Sequence, residues 1–196
     1  MTPLGKVASY HKAWIRSVIA YTLGGTLSAT SIGFVLGSIG SVVPWQGTRA
    51  IAFYVISLLA LLLAAREWGW IDFNLPERKL QTEKVWVDSF GFVTASFMWG
   101  LHIGLGFATR ITYGGFWVLV AVAVVLGDPF YGAILMLAYW IGRALPVWIA
   151  PAFMKSDAQA ADLPEKIFAE GQVYHRVVGV ALAWSVVVIV LLVRSI

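Results

Sequence analysis

The sequence predicts an all-α fold, a polytopic bundle of five or six transmembrane helices, and three observations lead to this prediction. Of the 196 residues, 60% are hydrophobic and only 12% are charged, a composition outside the range of water-soluble domains. Apolar stretches recur that approach or exceed the length needed to cross the hydrocarbon core, about 20 helical residues. Ten tryptophans include several near the expected span ends, as in interfacial aromatic belts. We therefore expect a single transmembrane domain over residues 1–196, in contact with membrane lipids.

Charge and cysteine content exclude several classes of function. The formal net charge is +4, but lysine and arginine stand at segment ends and in loops, so we expect no nucleic-acid partner. The chain has no cysteine, which excludes a disulfide framework, a thiolate metal site and a dithiol relay carried by this chain. It also has no phosphate loop, no paired carboxylates on one helix face and no His-x-x-x-His pair. The sequence thus predicts no enzyme and no metal site.

The first two predicted spans are residues 15–43 and 49–65. In the first, Gly33 and Gly37 form a small-xxx-small pair, which lets a second helix approach closely. The turn between the spans reads PWQGT, where proline ends the first helix and glycine tolerates a turn conformation. We predict that the two glycines serve helix packing; the less favoured alternative is a substrate path beside them.

A polar loop over residues 66–84 follows, and its charges set the predicted topology. The N-terminal lead-in and this loop together hold seven lysine and arginine residues, whereas the turn at 44–49 holds one. Because loops rich in lysine and arginine stay in the cytoplasm, we place the N-terminus and this loop there. The lead-in lacks the features of a cleaved signal peptide. The predicted location is the bacterial cytoplasmic (inner) membrane, with multiple passes.

Two apolar segments come next, residues 86–109 and 114–126, separated by RITYGG. The second segment is only thirteen residues long, too short to cross the membrane alone. Either the two segments form a helical hairpin with one short arm, or they form one helix broken at Gly114 and Gly115. Broken helices are tolerated in a bilayer where they are buried in protein or line a cavity. The hairpin gives six spans and the broken helix five.

The remaining predicted spans are residues 129–150 and 177–193, joined by a polar loop over 154–176. The turn before the first of these spans contains Asp128, which is placed to cap the helix that begins at the following proline. The span itself contains Arg143, a charge that needs a partner inside a membrane.

A longer pattern points to a family. Residues 90–124 read FGFVTASFMWGLHIGLGFATRITYGGFWVLVAVAV, and residues 131–149 read YGAILMLAYWIGRALPVWI. The second string contains a Tyr-x-x-Gly-x-x-x-Pro pattern at Tyr139, Gly142 and Pro146. Together with the preceding loop LPERKLQ, these strings resemble the second half of the CcdA/DsbD-type transmembrane domain of cytochrome c biogenesis and thiol-disulfide electron transfer. The resemblance covers about residues 70–150.

The resemblance implies an architecture but not its usual chemistry. It implies a bundle of pseudo-symmetric halves with a helix break near the membrane centre or near one face. Members of the family conduct electrons through two cysteines at such breaks, whereas here the second break, residues 109–114, has no cysteine and the first break is missing. No thiol chemistry carries over to this chain. We expect Gly114, Gly115, Gly142 and Pro146 to serve helix packing.

Four polar residues are candidates for a substrate or ion path: His102, Arg110, Thr112 and Arg143. Arg110 either binds an anion or anchors the break at the water interface. Thr112 is either part of the path or an interhelical hydrogen-bond donor. The candidate partners of Arg143 are Asp128, Asp88 and a lipid phosphate.

His102 has two readings of its own. Either it bridges helices by a hydrogen bond, or its imidazole ligates a haem, binds a metal or relays a proton. A bis-histidine haem needs a second histidine at the same depth, and His11 and His175 lie in polar flanks near opposite ends of the chain. The helix contact is therefore favoured, and no other cofactor is assigned.

These residues leave three functional hypotheses. The first is a conduit for a small solute or ion, a CcdA/DsbD-like bundle that lacks the redox cysteines. The second is a non-catalytic accessory or assembly subunit of a larger membrane electron-transfer complex, whether respiratory, photosynthetic or of cytochrome c maturation. Its partners would be other membrane subunits. The third and weakest is a haem-binding electron carrier that uses His102.

Overall fold

The structure, a computed structural model, describes residues 11–74, 85–106, 114–153 and 171–195. All regular structure in these residues is helical, which confirms the predicted all-α class. Within these described residues, six helices follow one another: α1 (His11–Ser41), α2 (Arg49–Glu67), α3 (Val85–Gly104), α4 (Gly115–Leu126), α5 (Pro129–Phe153) and α6 (Gly171–Ser195).

Four of these helices are long and apolar enough to cross a membrane, so the chain is a multi-pass membrane protein. The qualifying segments, judged by length and composition, are Trp14–Ser41, Arg49–Glu67, Pro129–Ile149 and Val173–Leu191. Helix α4 is apolar but shorter. Helix α3 is interrupted at Gly91, whose φ of 74° lies in a region that glycine tolerates best. The predicted break between α3 and α4 falls largely on residues 107–113, which lie outside the described residues.

Two polar loops are shorter than the sequence predicts. Helix α2 extends through Glu67, although the loop was expected from residue 66, and α6 begins at Gly171, although the loop was expected to reach 176. The reason is that hydropathy marks the apolar middle of a span, whereas helical geometry continues into polar residues near the membrane surface. Both extensions prove important for the site.

By their internal contacts the residues fall into two compact units. The first unit comprises Met1–Ser31, Arg78–Arg110 and Leu137–Glu170. Its buried core is aromatic and alanine-rich, with Tyr21, Ala29, Ala95, Trp99, Trp140 and Ala144. Two indoles tie α5 to α1 here: Trp140 donates its Nε1–H to the carbonyl of Thr22 at 3.1 Å, and Trp148 donates to the Thr22 hydroxyl at 2.9 Å.

The second unit comprises Ile32–Glu77, Ile111–Met136 and Gly171–Ile196. Its core lies where α2 packs against α4 and α6. The buried core residues are Phe53, Ile56, Ala60, Leu63, Ala64, Val118, Val125, Leu182 and Ile189. Helix α6 runs antiparallel to α2, because residue 175 pairs with residue 67 at one end while residues 193 and 53 line one pocket at the other.

Glycines of α1 lie directly against the start of α5 in the second unit. A Cβ atom at Gly33 would collide with the backbone of Gly132, and one at Gly37 would collide with the carbonyl of Asp128. Small residues allow such close backbone contact between membrane helices. The side chain of Asp128 caps α5 as expected, since its Oδ1 accepts hydrogen bonds from the amides of Phe130 at 2.8 Å and Tyr131 at 2.9 Å.

We expect Asp128→Ala to lower the free energy of unfolding by about 1 kcal/mol, because it removes the acceptor for two helix-end amides. Asp128→Asn retains a side-chain oxygen and is expected to lose much less. Both values can be measured by SDS titration in detergent micelles, followed by tryptophan fluorescence. Equal losses in the two variants would contradict the capping role.

Candidate functional site

A buried carboxylate, that of Glu67, forms the most connected polar cluster in the described part of the second unit. The Glu67 side chain is 0% exposed. Its Oε1 accepts hydrogen bonds from the backbone amide of Gly114 at 3.0 Å and from Nη1 of Arg66 at 3.2 Å. Its Oε2 is hydrogen-bonded to Nδ1 of His175. We call Glu67 with these three partners the Glu67 cluster; it joins α2, the start of α4 and α6.

Helix α2 ends immediately after Glu67, and the geometry of this end holds the carboxylate in place. The amide of Gly69 donates to the carbonyl of Arg66 at 2.9 Å, and the amide of Trp70 donates to that of Ala65 at 2.9 Å. These two bonds are the pattern of a Schellman C-cap, whose left-handed position is usually glycine. Gly69 occupies that position with φ of 77°.

The first turn of α4 supplies the second contact. Gly114 is the residue before α4, and its amide points at Glu67 instead of at a carbonyl. The amide end of a helix carries a partial positive charge, so a carboxylate is stabilised there. Gly114 is itself buried against Leu63, since a Cβ at this position would lie 2.8 Å from Cδ2 of that side chain.

The first turns of α6 supply the third contact. Beside the bond to His175, Trp68 donates its Nε1–H to the carbonyl of Arg176 at 3.4 Å. The Trp68 ring also lies against Gly179, where a Cβ would collide with it. The end of α2 and the beginning of α6 are thus joined by two neighbouring contacts, the hydrogen bond of Glu67 to His175 and that of the Trp68 indole to the Arg176 carbonyl.

The Glu67 cluster can hold a negative charge away from water or share a proton between a carboxylate and an imidazole. A buried carboxylate without partners would cost several kcal/mol, whereas here both oxygens are engaged. Among the residues that the structure describes, no group of three histidine, cysteine, aspartate or glutamate side chains could hold a metal ion.

The residues predicted for a substrate or ion path are placed as follows. His102 is half-buried in α3, and its ring packs edge-on to Trp86 at 5.7 Å between centroids. Arg143 is half-buried in α5 and donates from Nη1 to the hydroxyl of Tyr139 at 3.1 Å. This contact differs from the candidate partners Asp128, Asp88 and lipid phosphate. Arg110 and Thr112 lie outside the described residues.

The glycines and the proline predicted for helix packing have different surroundings. Gly33, Gly37 and Gly114 are buried against neighbouring residues of the second unit. At Gly115 and Gly142, an added Cβ would meet no atom of the described structure within 4 Å. Pro146 is exposed in α5.

Sequence reasoning missed Glu67 and His175, because both were assigned to polar loops. Trp68-Gly69 could have extended α2, since a glycine commonly follows the last helical residues. That signal would have placed Glu67 on a helix. The pairing with His175 spans 108 positions, and no local spacing reveals it.

Comparisons with known proteins agree with the family resemblance. The family described as cytochrome C biogenesis protein transmembrane region matches residues 2–191. The methylamine utilization protein MauF of Paracoccus versutus is 24% identical over 148 residues, 75% of this chain and 54% of that protein. The Paracoccus denitrificans protein of the same name is 23% identical over 147 residues, 75% of this chain and 53% of that protein.

A further relative carries the family's own description. A putative cytochrome c-type biogenesis protein of Haemophilus influenzae is 29% identical over 147 residues, 72% of this chain and 64% of that protein. The chain thus spans about half to two thirds of the length of these relatives. No solved structure matches. Because the family match extends over nearly every residue, the chain belongs to the family of cytochrome c biogenesis transmembrane regions, as a member without cysteine.

Proposed function

We propose that this chain is a non-enzymatic accessory component that assists the maturation of a redox protein at the membrane through noncovalent contacts. The observation that carries the proposal is the combination of family membership over residues 2–191 with the absence of cysteine. Electron transfer between thiols and disulfides needs thiolates, so this chain cannot perform that step itself. Binding to a partner protein is a role that needs the family's architecture but does not need its thiols.

The contacts of the Glu67 cluster support this proposal. Glu67 is a buried acid of the second unit, and both of its oxygens are hydrogen-bonded to protein groups, which joins three helices. Such an arrangement stabilises a defined packing of α2, α4 and α6. A rigid helical surface is what a partner protein needs for specific binding, because less conformational entropy is lost on association.

The names of the relatives indicate two processes in which the partner can be sought. One relative is described as a cytochrome c-type biogenesis protein and others as methylamine utilization proteins. We propose a partner within the maturation of a redox protein of one of these kinds. We also propose the bacterial cytoplasmic membrane as the location, with the N-terminus in the cytoplasm, on the charge distribution of the loops.

Transport of a small solute or ion gains less support from the described contacts. The His102 ring packs against the Trp86 ring of the same helix, α3. Arg143 donates to the hydroxyl of Tyr139, one turn earlier in α5. Uptake into proteoliposomes remains its direct test, with Arg110→Ala and Arg143→Ala as variants. Uptake by the wild-type chain that both variants abolish would favour transport over the accessory role.

The accessory role predicts that deletion of the gene lowers maturation in its native host. The measurements are covalently bound haem in c-type cytochromes and growth on methylamine, each compared with the parent strain. A tagged copy of the chain should restore the deficient process and should co-purify in gentle detergent with a further membrane or periplasmic chain at fixed stoichiometry. The matched control is an unrelated tagged multi-pass protein.

Two results would overturn the proposal. One is normal maturation of both kinds of redox protein in the deletion strain. The other is a pair of observations made together. The chain is a monomer without bound partners in gentle detergent, and it restores the deficient process in reconstituted membranes without any added protein.

A further inference from the structure

We propose that a pocket at Arg49, at the opposite end of α2 from the Glu67 cluster, binds the phosphate group of an anionic membrane lipid. The pocket has a volume of 290 Å³ and is lined by Gly47, Arg49, Ala50, Phe53 and Val193. All of these residues belong to the second unit. The site is independent of the proposed accessory role.

The guanidinium of Arg49 is the first reason for the proposal. Its Nε atom is buried and has no hydrogen-bond partner in the part of the chain that the structure describes. A buried donor without a partner is costly, and the cost is removed when a ligand supplies an acceptor. Arginine presents a planar fork of donors that matches two oxygens of one phosphate group.

The depth of the pocket is the second reason. Arg49 begins the membrane-spanning segment Arg49–Glu67, and Val193 follows the end of the antiparallel segment Val173–Leu191. Both positions therefore lie where a membrane helix meets the headgroup layer. Lipid phosphates have a high local concentration at this depth, so the ligand is always available to a binding site here.

The walls of the pocket are the third reason, because they distinguish a lipid from a free anion. Phe53 is 2% exposed and, with Val193 and Ala50, gives the pocket an apolar lining beside the charge. The volume of 290 Å³ lies just below the usual range of pockets for drug-sized ligands, about 300–1,000 Å³, and suits a smaller group. The pocket accommodates a phosphate and the adjoining glycerol, while the acyl chains stay outside along the helices.

The start of α2 adds a smaller contribution. Arg49 is the first residue of α2, and the preceding Thr48 makes no side-chain hydrogen bond to cap the helix. The amides of Thr48 and Arg49 already donate to the carbonyl of Trp45 at 3.1 and 3.3 Å, so the helix beginning contributes chiefly its partial positive charge, which favours an anion. This feature strengthens a site that the arginine and the apolar walls define.

The test is a lipid titration of delipidated protein in detergent, with thermal unfolding and native mass spectrometry as readouts. The probes are short-chain phosphatidylglycerol, phosphatidylcholine with the same acyl chains, and inorganic phosphate. We expect phosphatidylglycerol to bind more tightly than phosphatidylcholine. Inorganic phosphate at the same concentrations should produce no shift in unfolding temperature, because it lacks the part that contacts the apolar walls.

Three variants locate the binding. Arg49→Gln should weaken phosphatidylglycerol binding about tenfold, the loss expected for one charge-assisted contact, and Arg49→Lys should lose less. Ala50→Leu narrows the pocket without changing charge and should also weaken binding. Arg194→Gln is the matched control, since Arg194 is an exposed cation at the same end of α6. Its affinity should equal that of the wild type.

Several outcomes would overturn the proposal. Wild-type affinity in Arg49→Gln or in Ala50→Leu would show that the lipid binds elsewhere. An equal loss of phosphatidylglycerol affinity in Arg194→Gln would indicate that the anionic lipid is attracted to basic residues in general. A shift in unfolding temperature with inorganic phosphate as large as that with phosphatidylglycerol would show that the pocket binds a free anion and not a lipid. None of these outcomes depends on the maturation assay, so this inference and the proposed function can fail separately.

Discussion

Glu67→Ala is expected to lower the free energy of unfolding by about 3 kcal/mol, near the lower end of the loss seen when one partner of a buried ion pair is removed. The substitution leaves the amide of Gly114 without its acceptor, and it removes the carboxylate to which Arg66 and His175 are hydrogen-bonded. The loss stays near the lower end because the side chains of Arg66 and His175 are 22% and 38% exposed. Water can therefore solvate them in the variant.

Two further variants separate the charge of Glu67 from its position. Glu67→Gln keeps an oxygen for the Gly114 amide and should lose about half as much as the alanine variant. Asp72→Asn is the control, because Asp72 is an exposed carboxylate a few residues beyond the end of α2. It should change stability by no more than about 0.5 kcal/mol. SDS titration in micelles provides the values, and a Glu67→Ala variant as stable as Asp72→Asn would contradict the role of the cluster.

Gly37→Ala is expected to lower the free energy of unfolding by about 2 kcal/mol, as overpacking at a tight contact does. A Cβ at Gly37 would collide with the carbonyl of Asp128 and would lie 2.8 Å from Cα of Pro129. Both contacts are backbone atoms, so no side chain can rotate away. The two helices must separate, and neighbouring contacts weaken with them.

Gly142→Ala is the matched control for this prediction. Gly142 is also a helical glycine for which the sequence predicts helix packing, but a Cβ there would meet no atom of the described residues within 4 Å. Alanine is the better helix former, so Gly142→Ala should leave stability unchanged or raise it by up to about 1 kcal/mol. The comparison uses the same SDS titration. Equal destabilisation at the two positions would show that the close approach at Gly37 is not what limits the substitution.

The helices could be predicted from the sequence because the membrane leaves few alternatives. Backbone groups in hydrocarbon must be satisfied within the segment, so long apolar runs become helices. Two local signals could also be predicted from the sequence. They are the small-xxx-small spacing of Gly33 and Gly37, which indicates close helix packing, and Asp128 before Pro129, which indicates a helix cap. The family could also be inferred, since its pattern at Tyr139, Gly142 and Pro146 is contiguous in sequence.

The Glu67 cluster could not be predicted, for two physical reasons. A glutamate beside arginine and tryptophan at a span end has the composition of a solvated loop, and burial depends on which helices surround it. The partners come from residues 47 and 108 positions away, which only the packing of α4 and α6 brings together. Arg143, by contrast, has a local partner in the Tyr139 hydroxyl, one turn earlier in α5.

A double-mutant cycle between Glu67 and His175 tests the central claim most directly, namely that the hydrogen bond between the buried Glu67 carboxylate and His175 joins α2 to α6. The measurement is the free energy of unfolding of the wild type, Glu67→Gln, His175→Ala and the double variant in the same micelles. The claim predicts a coupling energy of at least about 1 kcal/mol, because residues in direct contact are not additive. Additivity within about 0.5 kcal/mol would contradict it.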